Sequence, residues 1–288
     1  MTRREFLAAS ASLAFLPRLA LSQADDFFTG KEVFTGIMEK AKAGNWQKLQ
    51  IGEVVGKVGF ALVGTPYVGQ TIELFDDREV SAINLKGLDC VTFYESTLGM
   101  ARTIKSGRLT EGEFKKQITR IRYRSGKLNG YASRLHYTTD YFFDNERKGV
   151  LNIISDDLPG AVVLHRKVSY MSKHPEQYRQ LKSQPQLVPQ ISKMEQEVNG
   201  RKLFYVPKDK VIDIEGLLKT GDILGLTTTK EGLDVSHTGI CYRDSDDTLR
   251  FLHASSVKGQ VLLDVELAKY LEKAQVNDGI IVARPLEL

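Results

Sequence analysis

The sequence contains little cysteine, little tryptophan and little net charge. Its 288 residues include two cysteines and one tryptophan, and the formal net charge is +4. Two cysteines exclude a disulfide-rich scaffold, and the chain has neither paired cysteine spacing nor an HExxH motif for zinc. A charge this small excludes the strong basic surface of a typical nucleic-acid-binding protein. We therefore expect no nucleic-acid partner, no metal and no cofactor.

A long apolar run is also missing, and this bears on how the N-terminus is interpreted. Residues 1–24 combine a basic start, a short apolar run and small residues, which is typical of a secretory signal peptide. The stretch TRREFL, with Arg3 and Arg4, resembles a twin-arginine export signal. Pro17 and Arg18 interrupt the apolar run, which makes it too short to span a membrane. The alternative is an ordinary amphipathic helix.

Export would place the protein in a bacterial periplasm. We predict signal cleavage after Ser22 or Ala24, which leaves residues 25–288 as one domain without a stable membrane anchor. The periplasm oxidises thiols, so the two cysteines could form a single disulfide there.

The order of the predicted elements indicates an α+β fold. Apolar residues at helical spacing predict helices from Asp25 to about Val63, then from Val91 to Gly107 and from Glu111 to Tyr123. After Gly160, short β-branched runs predict strands in GAVVLH, GDILGLTT, SHTGICYR, LRFLHASS and GIIVARP. Helices that precede a run of strands favour an antiparallel sheet with helices packed against it.

The stretch GLDCVTFYES places Cys90 at the predicted start of a helix. Free backbone amides and the positive end of the helix dipole favour a thiolate at such a position. The same amides can stabilise a developing oxyanion. Cys90 is therefore either a nucleophile or one half of a disulfide with Cys241.

A nucleophilic cysteine needs a base, and His237 and His253 are the best candidates. They lie on the two strands that flank the predicted turn DSDD, 16 residues apart. Because directly opposed residues of an antiparallel pair share a face, a register centred on Ser245 predicts Cβ atoms about 5 Å apart. Cys241 lies roughly 13 Å beyond His237 along the strand, so contact of Cys90 with His237 argues against the disulfide. The alternative is that each histidine is an ordinary polar residue of a half-buried sheet.

Several motifs follow one another in an order that resembles NlpC-type papain-like cell-wall hydrolases. The stretches between Gly64 and Ser256 resemble in particular the N-acetylmuramoyl-L-alanine amidase-like family: GTPYV, GLDCVTFYE, IRYRSGKLNGYASRLHYTTDYFFDN, GDILGLTTTKEGLDVSHTGI and LHASS. The resemblance implies a papain-like fold with Cys90 as nucleophile, His237 as base and His253 as the residue that orients the base. It also implies that Tyr67 and Asp89 shape the acyl site. The opening DCVTF differs from the DCS of the familiar endopeptidases, so their specificity is not carried over.

Other residues of these motifs are candidates for substrate binding. Arg134 could hold a stem-peptide carboxylate, because a guanidinium suits bidentate contact. His136 and Tyr137, together with Tyr131, could line a sugar site, and Ser236 precedes the candidate base in SHTGI. The alternative is that these side chains support the fold.

These observations predict an exported cysteine amidohydrolase that acts on peptidoglycan or muropeptides without a cofactor. The predicted scissile bond is the amide between N-acetylmuramic acid and L-alanine. The enzyme alternative is an endopeptidase that cleaves the γ-D-glutamyl–diamino acid bond of the stem peptide. The alternative from another class is a non-catalytic periplasmic binding protein.

Overall fold

The computed structural model describes residues 27–288 of the 288-residue chain. The predicted export signal, residues 1–24, lies outside the described residues. The helices are α1 (Lys31–Ala43), α2 (Ile51–Ala61), α3 (Cys90–Lys105), α4 (Glu111–Arg122), α5 (Thr138–Arg147), α6 (Tyr170–Lys173), α7 (Arg179–Ser183), α8 (Val188–Asn199), α9 (Val211–Ile214) and α10 (Leu267–Lys273). Within residues 27–288, no helix is both long and apolar enough to cross a membrane.

The strands follow the order that the sequence predicts, with helices concentrated in the first half. They are β1 (Phe28–Thr29), β2 (Ile83–Asn84), β3 (Leu151–Ile153), β4 (Val162–Val163), β5 (Phe204–Pro207), β6 (Ile223–Thr228), β7 (Val235–Arg243), β8 (Leu249–Ser255), β9 (Gln260–Glu266) and β10 (Asn277–Pro285). The mixed α+β architecture with a large antiparallel sheet is confirmed. The papain-like assignment within that architecture stays a prediction.

The large sheet has the strand order β4-β5-β10-β6-β7-β8-β9, with β3 paired to β10. The short strands β1 and β2 form a separate parallel pair. The main apolar cluster joins the first four helices to one face of the sheet, where Phe93 and Leu98 of α3 meet Ile240 and Leu252. A second cluster contains Cys241, Phe251 and Leu271 of α10. Because both faces are covered, the central strands are almost fully buried.

A third apolar cluster lies beneath the polar segment between β4 and β5, residues 164–203, which is called the excursion below. Tyr137, Met171, Ile191 and Val198 belong to it, and it holds α6 and α8 against the start of α5. Helices α6, α7 and α8 lie in this segment. The excursion forms one wall of the cleft described below.

The register between β7 and β8 differs from the predicted one by two residues. Ile240 pairs with Leu252 and Arg243 pairs with Leu249, so the hairpin is centred on Asp246 rather than Ser245. A shift of two residues keeps each side chain on its face, because side chains along a strand alternate with a period of two. The prediction that His237 and His253 share a face therefore survives, although they are diagonal rather than direct neighbours.

Candidate active site

The start of α3 is fixed by a capping box. The Asp89 carboxylate Oδ1 accepts the backbone N–H of Thr92 at 2.7 Å, and the Thr92 hydroxyl accepts the backbone N–H of Asp89 at 2.9 Å. This arrangement satisfies the terminal amides reciprocally and makes Cys90 the first helical residue. Within residues 27–288, the amides of Cys90 and Val91 have no backbone carbonyl partner, and both residues line a cleft. They are available to an anion at the helix N-terminus.

Cys90 is joined to β7 next to the candidate base. The Thr238 hydroxyl donates to the backbone oxygen of Cys90 at 2.8 Å. Burial and the neighbouring Asp89 carboxylate raise the pKa of the Cys90 thiol to about 11, against the opposing effect of hydrogen bonds from Thr238 and from the Cys90 amide. The expectation of a thiolate stabilised by the helix start is therefore wrong for the unliganded site, because desolvation outweighs the helix amides. Cys90 is therefore a neutral thiol in the unliganded cleft.

The two candidate histidines are in direct contact. His237 Nε2 lies 2.7 Å from His253 Nδ1, which confirms that the two side chains lie side by side on one face of the sheet. Phe251 stacks on the His253 ring at 4.5 Å, and Tyr270 of α10 lies 5.2 Å from it. Burial and the His253 neighbour lower the pKa of His237 to about 3, and burial lowers the pKa of His253. Both imidazoles are therefore neutral at physiological pH.

A glycine provides the space in which the histidines meet. Continued one residue past Ile240–Leu252, the register of β7 and β8 places Gly239 opposite His253. A Cβ atom on Gly239 would lie 2.5 Å from the Phe251 ring and 2.8 Å from His253 Cβ. The missing side chain lets His237 lean across the strand pair towards His253.

A β-bulge directs this part of β7 into the cleft. Leu226 pairs with His237 and Thr227 pairs with Val235, so Ser236 is an extra residue on β7. The Ser236 hydroxyl accepts a hydrogen bond at 2.8 Å from Asn277 Nδ2. Residues 235–238 all line the cleft, whereas a regular strand would present only alternate residues to it.

The cleft brings most of the predicted site residues together. It encloses about 300 Å³, and its wall includes Asp89, Cys90, Arg134, His136, Tyr137, Ser236 and His237. Tyr67 lies beside this group rather than on its wall. Burial and the nearby Cys90 and Asp89 raise the pKa of Tyr67 to about 12, so its hydroxyl stays protonated.

Comparison with known proteins assigns the family. The family model described as N-acetylmuramoyl-L-alanine amidase-like matches residues 57–280. The chain belongs to the N-acetylmuramoyl-L-alanine amidase-like family. An N-acetylmuramoyl-L-alanine amidase from Bacteroides uniformis is 35% identical, with a TM-score of 0.76 over 82% of this chain and 99% of the other. Membership supports an enzyme of the amidase-like hydrolase class.

Two further solved structures are similar. A Bacteroides fragilis protein provisionally named a xylanase is 40% identical, with a TM-score of 0.72 over 78% of this chain and 98% of the other. A Legionella pneumophila protein of the DUF1460 family is 18% identical, with a TM-score of 0.66 over 89% of this chain and 95% of the other, which shows a shared fold. No curated protein matches the chain.

In this amidase-like protein, Arg134 is already paired with carboxylates. Its guanidinium contacts Glu73 through Nη2 and lies 3.3 Å from Glu79 through Nε, and it lies 4.9 Å from the Tyr131 ring centre. The Tyr131 hydroxyl also donates to Glu73 at 3.0 Å. A substrate carboxylate would have to compete with two protein carboxylates for Arg134. The predicted carboxylate contact stays a prediction, and the observed contacts are those of the supporting role.

Two other arginines between residues 120 and 135 also form ion pairs with carboxylates. Arg122 forms a buried ion pair with Glu95 at 2.8 Å, and Arg124 pairs with Asp140 at 2.6 Å. The guanidinium groups of Arg122, Arg124 and Arg134 are therefore neutralised by carboxylates within the fold.

The predicted aromatic residues of the cleft have fixed orientations. His136 Nε2 lies 3.0 Å from the Tyr131 carbonyl oxygen, and burial lowers the pKa of His136 well below its usual value. The Tyr137 hydroxyl donates to Glu195 at 2.7 Å and accepts the Met171 amide at 3.1 Å. These contacts fix both rings at the cleft wall and connect that wall to the excursion.

Cys241 lies elsewhere in the fold. It is fully buried within the second apolar cluster and pairs with Phe251 across the strands. Both cysteines are free thiols in the structure. The disulfide alternative therefore finds no support in the fold.

Sequence reasoning missed Asp264 and Glu73. Asp264 Oδ2 lies 3.3 Å from His253 Nε2, and Glu73 lines the cleft next to Arg134. A lone carboxylate in the apolar run VLLDV was a signal for Asp264, but β9 itself was not predicted. Within residues 27–288, no group of three or more histidine, cysteine, aspartate or glutamate side chains could hold a metal ion.

Proposed function

We propose that this protein is an exported, cysteine-dependent amidohydrolase of peptidoglycan that uses Cys90, His237 and His253. One observation carries the proposal: Cys90 at the start of α3 and His237 line the same cleft, and His237 is hydrogen-bonded to His253. A nucleophile, a base and a residue that orients the base are the minimum set for acyl transfer. Family membership supplies the substrate class.

The reaction starts with the Cys90 thiol and the His237 imidazole both uncharged. His237 Nε2 is engaged by His253, which leaves Nδ1 as the nitrogen that can accept the thiol proton. Because the pKa of Cys90 is raised and that of His237 is lowered, an ion pair is not the resting state. Proton transfer from the thiol to His237 therefore accompanies attack of Sγ on the amide carbonyl carbon.

The start of α3 stabilises the charge that develops on the carbonyl oxygen. The amides of Cys90 and Val91 have no backbone carbonyl partner and can donate to an oxyanion within the cleft. The His237 imidazolium then gives its proton to the leaving nitrogen, the C–N bond breaks, and a thioester to Cys90 remains. Water, deprotonated by His237, hydrolyses the thioester and restores the thiol.

We place the scissile bond between N-acetylmuramic acid and L-alanine. The cleft of about 300 Å³ is large enough for the groups on either side of one amide, and a glycan strand would extend beyond it. Because Arg122, Arg124 and Arg134 are held in ion pairs, a sugar would be recognised by the rings of His136, Tyr137 and Tyr178 rather than by guanidinium groups.

One observation favours the stem-peptide endopeptidase as a second candidate. Asp89 uses Oδ1 to cap α3, and within residues 27–288 its Oδ2 accepts no hydrogen bond. A free carboxylate oxygen next to the nucleophile suits the ammonium group of a stem peptide that has lost its sugar. A muramoyl-linked substrate has no such ammonium group.

Product analysis separates the two reactions. Purified protein is incubated with digested murein and the products are identified by mass. The amidase releases stem peptides that begin with L-alanine and leaves peptide-free glycan. Products that keep L-alanine and D-glutamate on the sugar, or a dipeptide released from sugar-free stems, would overturn the amidase in favour of the endopeptidase.

The Asp89→Asn variant provides a matched comparison, because asparagine retains a capping oxygen for α3. An endopeptidase should lose affinity for stems with a free N-terminus and keep activity on N-acetylated stems. An amidase should show no such selectivity. No product from any substrate, with Cys90 unreactive towards thiol-directed electrophiles, would favour the non-catalytic binding protein.

Export is tested separately from activity. Mass measurement of the protein recovered from the periplasm of producing cells should give a chain that begins at Gln23 or Asp25. Replacing Arg3 and Arg4 with lysine should retain the full-length chain in the cytoplasm. Recovery of the full-length chain from the periplasm would contradict the predicted cleavage.

A further inference from the structure

We infer that Asp264 is a fourth, positioning member of the site, which sets the direction of the hydrogen bonds through His253 and His237; this inference rests on the proposed function. Asp264 Oδ2 lies 3.3 Å from His253 Nε2, and His253 Nδ1 lies 2.7 Å from His237 Nε2. The three side chains form a continuous row that ends at the cleft. Asp264 does not touch the reacting atoms, so its effect passes through the histidines.

A carboxylate fixes the tautomers of this row because it can only accept hydrogen bonds. His253 therefore donates from Nε2 to Asp264, and its Nδ1 is left as an acceptor. His237 must then donate from Nε2, which leaves His237 Nδ1 without a proton. That nitrogen is the one that has to accept the Cys90 proton, so Asp264 holds the base in its competent tautomer.

The backbone of β9 is built to present this carboxylate. His253 pairs with Leu262 and Leu252 with Leu263, whereas Arg250 pairs with Glu266. Between these pairs, β8 contributes one residue and β9 contributes two, Asp264 and Val265. A bulge of this kind redirects a side chain and is often found next to active sites.

The same carboxylate also accepts a hydrogen bond from the backbone of the bulge. Asp264 Oδ1 accepts the Val265 amide at 2.8 Å, which leaves Oδ2 for His253. The Asp264 side chain is 21% exposed, whereas that of His253 is 1% exposed. Asp264 therefore connects a buried histidine to the surface with both of its oxygens engaged.

The test is the Asp264→Asn variant, compared with Glu266→Gln on the same strand. Glu266 pairs with Lys269 at 2.7 Å and does not contact the histidines. The asparagine amide can donate to His253 Nε2, which reverses the row and moves the proton of His237 to Nδ1. We expect kcat to fall about 10- to 100-fold with little change in KM, the size of effect seen when a carboxylate that orients a metal-bound histidine is removed. Glu266→Gln should behave as the wild type.

Nitrogen-15 spectra of histidine-labelled protein give a readout that a purely structural role would not change. The wild type should show His237 protonated at Nε2, and Asp264→Asn should shift it towards Nδ1. Asp264→Glu should restore the wild-type tautomer and part of the activity. An unchanged His237 tautomer in Asp264→Asn would overturn the inference, whether or not activity or melting temperature falls.

The tautomer measurement is also independent of the proposed function. Activity that survives in Cys90→Ala would refute the cysteine mechanism and leave the histidine spectra to decide the role of Asp264. Loss of activity in Cys90→Ala with a full rate in Asp264→Asn would keep the mechanism and refute the inference.

Discussion

The two cysteines of this chain occupy opposite kinds of environment. Cys90 begins a helix, lines a cleft and is linked through Thr238 to the strand that carries His237. Cys241 lies near the end of that strand, fully buried among apolar side chains. Both thiols have raised pKa values because of burial. A candidate nucleophile therefore differs from a core cysteine in its hydrogen-bond partners and its access to the cleft, not in the thiolate fraction of the resting thiol.

The largest expected effect comes from removing the first of these thiols. Cys90→Ala should lower kcat by about 10⁴-fold or more, because the thioester can no longer form. The melting temperature should stay nearly unchanged, since the capping box is built from Asp89 and Thr92. Muropeptide turnover and thermal unfolding of the same preparation give both values. An active Cys90→Ala protein would remove the distinction between the two cysteines.

A smaller loss of kcat should follow when the contact between His237 and His253 is disturbed. Gly239→Ala places a Cβ atom against Phe251 and His253, so the rings must shift. We expect about 10²-fold lower kcat, because small misplacements of a base are costly, and about 1–3 kcal/mol lower stability from overpacking. Gly36→Ala in α1 is the control, since within residues 27–288 nothing beyond its own helix backbone and chain neighbours lies within 4 Å of the new Cβ. That control should keep full activity, and equal behaviour of the two variants would contradict the role of Gly239.

The pH dependence of alkylation compares the two thiols directly. With a pKa of about 11, the thiolate of Cys90 is the minor form at neutral pH, and its fraction grows as the pH rises. The rate of iodoacetamide labelling at Cys90 should therefore rise about tenfold per pH unit up to about pH 11, provided that circular dichroism shows a folded protein. Cys241 should react only in denaturant. A plateau in the Cys90 rate at neutral pH would instead indicate a preformed ion pair with His237.

The smallest effect on activity is expected at the second thiol. Cys241→Ser should keep kcat within about twofold of the wild type, because the side chain lies outside the cleft. Its buried hydroxyl should lower the free energy of unfolding by about 1–3 kcal/mol. Denaturant unfolding under reducing conditions measures this. A stability loss that appears only under oxidising conditions, with activity lost equally in both cysteine variants, would point to a disulfide.

The features that could be predicted from the sequence are those that depend on nearby residues, such as a helix start or the face of a strand. Cys90 follows a capping aspartate, and the even spacing of His237 and His253 kept them on one face although the register was wrong by two residues. Helix α3 begins at Cys90, as the stretch GLDCVTFYES predicted, and the strands after β5 match the predicted runs apart from β9. These features depend on residue types within one element or one hairpin.

What the sequence did not reveal depends on contacts between distant segments. The partner of Arg134 is Glu73, 61 residues away, so no local pattern showed that its guanidinium is occupied. The bulges at Ser236 and Asp264 are set by pairing with neighbouring strands, and a single sequence does not display them. The raised pKa of Cys90 follows from tertiary burial, whereas the local helix start favours the opposite direction.

The most direct test of the central claim is the mass of the covalent intermediate. Wild-type protein is mixed with a disaccharide muropeptide, quenched in acid within milliseconds to seconds and digested, and the peptide that contains Cys90 is weighed. We expect a thioester on Cys90 whose added mass is that of the disaccharide muramoyl group, and we expect no such adduct in Cys90→Ala. An adduct with the mass of an L-alanyl-D-glutamyl dipeptide would contradict the assigned bond. Product formation with no adduct at Cys90 under any quench time, together with an active Cys90→Ala, would contradict the mechanism itself.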